Sequence, residues 1–380
     1  MLKPLIKYTG GKYREYEFIK DLIPNKIKNY HEPFFGGGGI FFQLHNDNRI
    51  YGESYINDLS QSLMEFYSSI SVDEFKDEVL KISNMWQFIK LFADLFYERY
   101  GSYFIRSIRE KDETIFMNLN IHDFIIDAFT QYRFNFHNFN IVERIELSIN
   151  DKLRKFIKKD ISDNDDDVSY RCITTSICQA FYFTIRDMYN DWNCGGNYDS
   201  YSQLERSAQW LFIREFCYGS MFRFGKNGNF NIPYGGYSYN KKCFSCKLDV
   251  ITSDEVKTLF KKTNIYCSDF EDVIKNQNYC EDDFMFLDPP YDTTFSEYDG
   301  NAFSKEDHIR LFKCLNQCKC KWMMIIGKTD FITGLYKNYN IREYDKQYMY
   351  QARGRIYDNK NTTHMIITNY TPNVDIVSTT

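Results

Sequence analysis

The tetrapeptide Asp288-Pro289-Pro290-Tyr291 carries the most specific chemistry in the sequence. It follows an apolar run at residues 284–287 that reads as a buried strand. Two consecutive prolines forbid a helix and bring no backbone N–H, so their carbonyls are left to face a ligand. A carboxylate beside such a carbonyl can accept the two protons of an exocyclic amine, and a tyrosine can stack on a planar ring. The group therefore suits a base lifted out of its stack and presenting an amino group. In isolation the same four residues also fit a rigid loop with a capping aspartate.

A second chemical feature is the run Gly36-Gly37-Gly38-Gly39. Glycines let the backbone turn tightly and approach a ligand closely. The spacing is not Gly-x-Gly-x-x-Gly, because Ile40 and Phe41 follow at once. Its position adds weight: a strand at 28–32 precedes it, a helix from Ile40 follows, and a strand at 49–57 ends at Asp58. An acidic residue there can accept from ribose hydroxyls; Glu53, inside the strand, is the weaker candidate.

These residues need an α/β frame to hold them. Residues 1–67 read as loop and helix to about Ile23, then strand, glycine turn, helix, strand and helix. The same grammar returns from Thr263, with strands at 265–268, 284–287, 321–326 and 365–370, and a helix at 304–320 that Ser304 caps. Between them, residues 68–218 repeat apolar positions at three- and four-residue intervals and read as mostly helical. We therefore expect a discontinuous catalytic domain at 1–67 and 250–380, a doubly wound sheet, interrupted by a second domain at 68–249. The acidic run at 160–167 reads as a solvated loop.

Composition bounds the function. With 43% hydrophobic and 26% charged residues, the 380-residue chain can bury a core and is not disordered throughout. A net charge of −5 argues against a surface that binds nucleic acid everywhere. Residues 216–248 nevertheless hold Arg223, Lys226, Lys241, Lys242 and Lys247 and no acidic residue. Within that stretch Asn227-Gly228 signals a type I′ turn between aromatic runs. The 18% aromatic content reads mainly as core. No signal-peptide or membrane-spanning run is present, so the 11 cysteines read as reduced thiols of a cytoplasmic protein. Cys243 and Cys246 have zinc-ligand spacing but lack a second half-site, and no metal is expected.

Taken in order, these segments resemble the Dam-type DNA adenine methyltransferases that carry their recognition segment before the catalytic motif. Lys7-Tyr8-Thr9-Gly10-Gly11-Lys12 resembles the family's N-terminal Lys-aromatic-x-Gly-Gly-Lys motif. The stretch Glu32 to Gly39 resembles its S-adenosylmethionine turn, Ile56 to Ser60 its ribose segment, and Ser268-Asp269-Phe270 its adenine-edge segment. Asp288 to Tyr291 is similar to its catalytic motif, Arg223 to Gly235 to its DNA-reading hairpin, and Thr368-Asn369-Tyr370 to its closing strand. The matches cover roughly half the chain.

The resemblance implies a Rossmann-like methyltransferase sheet with an inserted helical recognition domain, whose hairpin spans 221–235. It implies S-adenosylmethionine as cofactor, with Tyr8, Lys12, Glu32, Phe34, Gly36, Gly38, Asp58, Asp269, Phe270 and Asp288 at its site. Asp288, Pro289, Pro290 and Tyr291 would be catalytic. Lys7, Arg223, Lys226, Asn227, Asn229, Asn231, Pro233 and Lys241 would touch duplex DNA, in a GATC-like sequence, and a cognate restriction endonuclease is a further partner left open. Three departures stand out: Gly225 replaces a common Asn, residues 218–222 lack the usual Asn-Gly pattern, and His364, read as a surface or strand residue, replaces a Glu. The alternatives are a DNA-binding relative without turnover, or transfer to cytosine N4, RNA or a glutamine amide; Asp288 favours adenine over cytosine.

Overall fold

The computed structural model describes residues 1–8, 10–130, 134–158, 166–291, 297–298, 301–346 and 362–372. Residues 160–165 of the acidic run lie outside that set. The chain divides into two compact units, Met1–Ser71 with Asp254–Thr380, and Val72–Ser253.

In the first unit seven strands form one sheet: β1 (Tyr30–Glu32), β2 (Ser54–Asn57), β3 (Thr263–Tyr266), β4 (Phe284–Leu287), β5 (Lys321–Gly327), β6 (Asn340–Lys346) and β7 (Thr362–Thr368). Their order is β3-β2-β1-β4-β5-β7-β6. The first five are parallel, and β7 runs antiparallel to β5 and β6 on either side. β4 and β5 are apolar along nearly their whole length because both faces are covered. The helix Lys305–Gln317 buries Leu311, Cys314 and Leu315 in that core. Ser304 starts it with a capping box, in which Asp307 takes the place usually held by Glu. Asn369 secures the far end of β7: its side chain accepts from the Trp322 N–H (2.7 Å) and donates to the Cys320 carbonyl (2.9 Å).

The strand order reverses at β1, which pairs with β2 on one side and β4 on the other. In sheets of this kind the crevice beyond the carboxyl ends of the strands at such a switch point is where ligands bind. Here that point brings Glu32, at the end of β1, and Asp288, just past β4, to the same edge.

Two local expectations differ from the structure. The helix read up to Ile23 is only one turn, Tyr16–Ile19, followed by a 3-10 turn Lys20–Leu22. Ile23 precedes Pro24 and is extended (φ −84°, ψ 140°), as a residue before proline prefers, so the helix does not run to it. β6 carries no strand signal in the sequence: its Arg342, Glu343, Asp345 and Lys346 look like a loop, yet charge is what an unprotected edge strand requires.

The second unit is helical. Its longer helices are Phe75–Glu110, Ile141–Lys158, Asp166–Asn193 and Gln203–Phe216. The first buries Val79, Ile82, Trp86, Ile89, Phe92, Phe96 and Phe104 on one stripe. Trp86 meets Phe181, Phe212 and Phe216 at ring separations of 6.1, 5.7 and 4.6 Å. Much of the aromatic content therefore fills this core, where tilted and edge-on ring pairs are favoured. Cys243 and Cys246 form a disulfide, not the reduced pair expected; their Cα atoms lie 5.5 Å apart, within bridging range. No helix among the described residues is long and apolar enough to cross a membrane.

The helix Gly39–Asn46 carries His45, which lies edge-on to Phe41 at 4.6 Å with Nε2 3.1 Å from Ser54 Oγ. Burial lowers its pKa from 6.5 to about 4. The folded state therefore prefers neutral His45, and this contribution is complete above pH 6.5 and is lost as pH falls toward 4. The loss approaches about 3 kcal/mol. Denaturant melts of the protein and of His45→Gln between pH 4 and 7 check this: the pH slope should be shallower in the variant.

Candidate active site

Asn57, the last residue of β2, ties three strand ends together. Its side-chain N–H donates to the carbonyls of Pro33 and Ser268, each at 3.0 Å, and its oxygen accepts from the Ser268 N–H at 3.0 Å. Its own carbonyl accepts from the Phe35 N–H at 2.8 Å. The loops after β1, β2 and β3 are thus one fastened group. Asn57 is 1% exposed.

On this base sits the glycine turn. Gly36 and Gly38 have φ of 50° and 64°, a region that side-chain-bearing residues rarely adopt. A Cβ on Gly37 would lie 2.8 Å from Tyr8 Cβ, and one on Gly39 would lie 2.6 Å from the Tyr13 backbone nitrogen. Only bare backbone fits beneath the N-terminal segment here. Asp58 fixes the turn: one oxygen accepts from the Gly36 N–H (2.9 Å), the other from the Ser60 N–H (3.0 Å). The Tyr67 hydroxyl donates to the Gly36 carbonyl at 3.2 Å. Glu53 lies at the opposite end of β2, exposed, where it accepts from Tyr55 and Asn264.

Lys12 reaches under the turn. Its ammonium lies 2.7 Å from both Asp288 carboxylate oxygens and 2.9 Å from the Gly10 carbonyl, and it is only 3% exposed. It also stands 5.3 Å from the centre of the Tyr291 ring. Glu32 is buried and accepts from the Tyr30 hydroxyl at 2.8 Å. Burial, then the nearby charges of Asp288 and Asp58, hold Glu32 well above the usual carboxylate range, against the Tyr30 bond. Three acidic side chains thus crowd one end of the sheet, and the lysine cation pairs with Asp288.

The adjoining wall is aromatic. Phe34, Phe270 and Phe303 meet at ring separations of 5.4, 5.8 and 5.5 Å. Phe270 is buried and lies 4.9 Å beneath the Arg310 guanidinium, so half-buried Phe34 offers the more open ring. Asp269 caps the helix Phe270–Lys275 through the Glu271 N–H (2.9 Å), and the same oxygen accepts from Arg310 at 2.6 Å. Arg310 also binds Glu271 and Asp307, which fastens the loop after β3 to the helix Lys305–Gln317. Arg310, Phe303 and Asn57 were not singled out from sequence. His364, expected at the surface or in a strand, lies in β7 and is fully buried, edge-on to Tyr291 at 5.2 Å. The Pro289 carbonyl follows Asp288 on the same loop; Lys7 is exposed.

In the second unit, residues 216–235 form isolated antiparallel bridges, Phe224 with Phe230 and Cys217 with Tyr234. The turn is not type I′. The Gly228 N–H donates to the Gly225 carbonyl (2.9 Å) and the Gly225 N–H to the Asn229 carbonyl (2.8 Å). Gly228 has φ of 78°, while Asn227 is not among the positive-φ residues. This is a type I turn on Lys226 and Asn227 closed by a glycine bulge, one residue earlier than the Asn-Gly signal suggests. Phe230, Ile232 and Tyr234 face inward, and Arg223, Lys226, Asn227, Asn231 and Pro233 are exposed. Asn229 is partly covered and accepts from the Cys194 thiol. Of the basic residues in this stretch, Lys242 donates to the Glu215 carbonyl (2.5 Å) and Lys247 pairs with Glu215 (3.2 Å), so both serve the fold. Lys241 lies 5.7 Å from the Tyr237 ring centre.

Parallel strands that reverse order at β1, an antiparallel strand between the last two, and a glycine turn facing an Asp-Pro-Pro-Tyr loop define a methyltransferase sheet of the Rossmann-like class. The family model for the D12 class of N6 adenine-specific DNA methyltransferases matches residues 8–150 and 147–350. The chain belongs to this family and is an adenine-specific DNA methyltransferase. Among its relatives, the type II methyltransferase M.CviBI of Paramecium bursaria Chlorella virus NC1A is 35% identical over 206 residues, 53% of this chain and 76% of that protein. M.MjaIII of Methanocaldococcus jannaschii is 25% identical over 367 residues, 93% and 94% of the two chains. M1.LlaDCHI of Lactococcus lactis subsp. cremoris is 23% identical over 381 residues, 97% and 96%.

Asn57→Ala removes three side-chain hydrogen bonds and leaves buried partners unmatched. It should cost about 3 kcal/mol. Thermal melting should shift down by roughly 6–12 °C for a unit of this size. Calorimetry of the two proteins checks it.

Proposed function

We propose that the first unit transfers a methyl group from S-adenosylmethionine to the N6 amine of an adenine flipped out of duplex DNA. The observation that carries this reading is the Lys12–Asp288 pair, set beside the glycine turn at the sheet's switch point. When bound, S-adenosylmethionine supplies an electrophilic methyl on a sulfonium centre. Its fit rests on the site's own chemistry. A backbone cradle that a Cβ would fill suits the methionine portion, and Asp58 and Asp288 beside it suit a ligand bearing positive charge.

Each residue then has a physical task. Asp288 and the Pro289 carbonyl accept the two protons of the target amine, which draws the nitrogen toward tetrahedral geometry and frees its lone pair. A carboxylate has lone pairs enough to accept from Lys12 and from the amine together. Lys12 holds the Asp288 carboxyl in place through both oxygens, so the acceptor needs no reorganisation during transfer. Pro290 stiffens the loop, and Tyr291, held between Lys12 and His364, stacks on the base. The turn from Phe34 to Gly38, with Tyr8, holds the methionine portion. Asp58 orients the turn for the ribose, and Asp269 and Phe270 meet the adenine of the cofactor. Much of the catalysis is therefore positioning.

The second unit supplies the reading of sequence. Arg223, Lys226, Asn227, Asn231 and Pro233 share the exposed side of the turn region, with Lys241 close in sequence. Arg223 is suited to a bidentate contact with guanine, and the lysines and asparagines to phosphates and groove edges. Asn229 is placed to shape the turn, and Lys7 is a further base contact. A GATC-like site is the sequence we propose for this surface.

Asp288→Ala should reduce transfer of labelled methyl to DNA by at least a thousandfold while DNA binding stays measurable. Near-normal turnover would remove the catalytic assignment. Arg223→Ala should lower discrimination between the preferred site and single-base variants by about tenfold; equal loss on every sequence would make it a backbone contact. Expression in a host free of adenine methylation, with modified adenines mapped by long-read sequencing, gives the site itself.

A further inference from the structure

Among the described residues, the turn region 222–232 has no strand beside it, and its two arms are paired through isolated bridges, yet its inward side chains are buried. The missing neighbour is a helix. Along Asp166–Asn193 and the residues just after it, three side chains present polar atoms to this segment. The Asn190 amide donates to the Phe230 carbonyl (3.1 Å) and accepts from the Phe230 N–H (2.8 Å). It completes both backbone bonds of one residue, as an adjacent strand would. The Tyr182 hydroxyl donates to the Ile232 carbonyl at 2.9 Å. The Cys194 thiol donates to the Asn229 side-chain oxygen, and its Cβ lies 3.7 Å from where a Cβ on Gly228 would stand. Residues 190 and 194 are one helical turn apart, so both fall on one face.

We infer that Asn190 is a positioning residue for DNA recognition: its amide fixes the register of the returning arm and so the aim of Arg223 and Asn231 on the opposite face. The consequence follows from strand geometry. Successive residues alternate between the two faces, and a one-residue slip would turn Asn231 inward and Phe230 outward. A turn closed by a bulge, with two isolated bridges, holds register weakly by itself. The bidentate amide at Phe230, between the turn and Pro233, holds it at the position where slip would begin. In this reading Asn190 does not itself touch the DNA.

This inference rests on the reading of 222–233 as the DNA-reading segment, and the test separates the two. The ratio of kcat/KM on the mapped site to that on single-base variants is measured for Asn190→Ala, Asn190→Asp and Arg223→Ala, with the S-adenosylmethionine dissociation constant and the amide exchange rate of Phe230 alongside. For Asn190→Ala the ratio should fall by roughly tenfold, as expected for the loss of two ordinary hydrogen bonds. Phe230 exchange should quicken and cofactor affinity should stay within twofold. Asn190→Asp keeps the acceptor but loses the donor, so it should lie between, and it carries the test if the alanine variant does not fold. An unchanged ratio in a folded Asn190 variant, with Arg223→Ala relaxed, overturns the positioning role alone. An unchanged ratio in Arg223→Ala as well overturns the reading of the segment.

Discussion

A cluster of acidic groups at the carboxyl edge of a parallel sheet has to be neutralised before it can be useful. Glu32, Asp58 and Asp288 come from the ends of three different strands and lie close enough for Asp288 and Asp58 to push Glu32 upward. Each is met differently: Glu32 by the Tyr30 hydroxyl, Asp58 by two backbone N–H groups of the glycine turn and its own loop, and Asp288 by Lys12. A half-satisfied buried network costs more than an apolar one. The tight turn, the N-terminal segment folded over it and the absence of side chains at Gly36 to Gly39 all follow from delivering those donors. The short helix at Tyr16–Ile19 follows too, because the chain before it is committed to bringing Lys12 into the site.

What could be read from the sequence was chemistry carried by contiguous residues. The Asp-Pro-Pro-Tyr loop, the glycine run and the apolar strands β4 and β5 declare themselves because each is a short segment with one physical requirement. The residues that hold those segments together do not. Asn57 meets Ser268 across 211 residues, and Arg310 meets Asp269 across 41, and no local pattern marks either. β6 was hidden because an edge strand is selected for charge and not for apolar alternation. The Asn227-Gly228 pair did mark a turn, but the hydrogen bonds shift it by one residue because Gly225 accepts from Gly228. His364 stands out in sequence as a departure from the family pattern, but its burial against Tyr291 has no local signal; the antiparallel insertion of β7 beside β5 carries it there.

The second unit shows a different economy. Its aromatic excess is spent on a core in which rings from four segments interlock around Trp86 and Phe181. Such a core permits one surface to be poor in regular strand pairing, because helix side chains can complete the backbone bonds. The polar residues exposed at 223–233 are then free to be chosen for a partner and not for packing.

The discontinuity of the first unit has a consequence for how the chain comes to be folded. β1 lies between β2 and β4, and Asn29, next to it, donates to Asp283 across 254 residues. At ordinary synthesis rates that interval takes roughly ten to fifty seconds. During it β1 has an open flank, and the apolar helices of Gly39–Asn46 and Gln61–Ile70 have only part of their sheet to cover. The helical unit ends at Ser253, ahead of β4 at Phe284, so most of it is synthesised within that interval. A nascent chain of this kind leans on whatever shields its early half, and mutations that weaken β1 or β2 would lower the yield of protein long before they altered the finished enzyme.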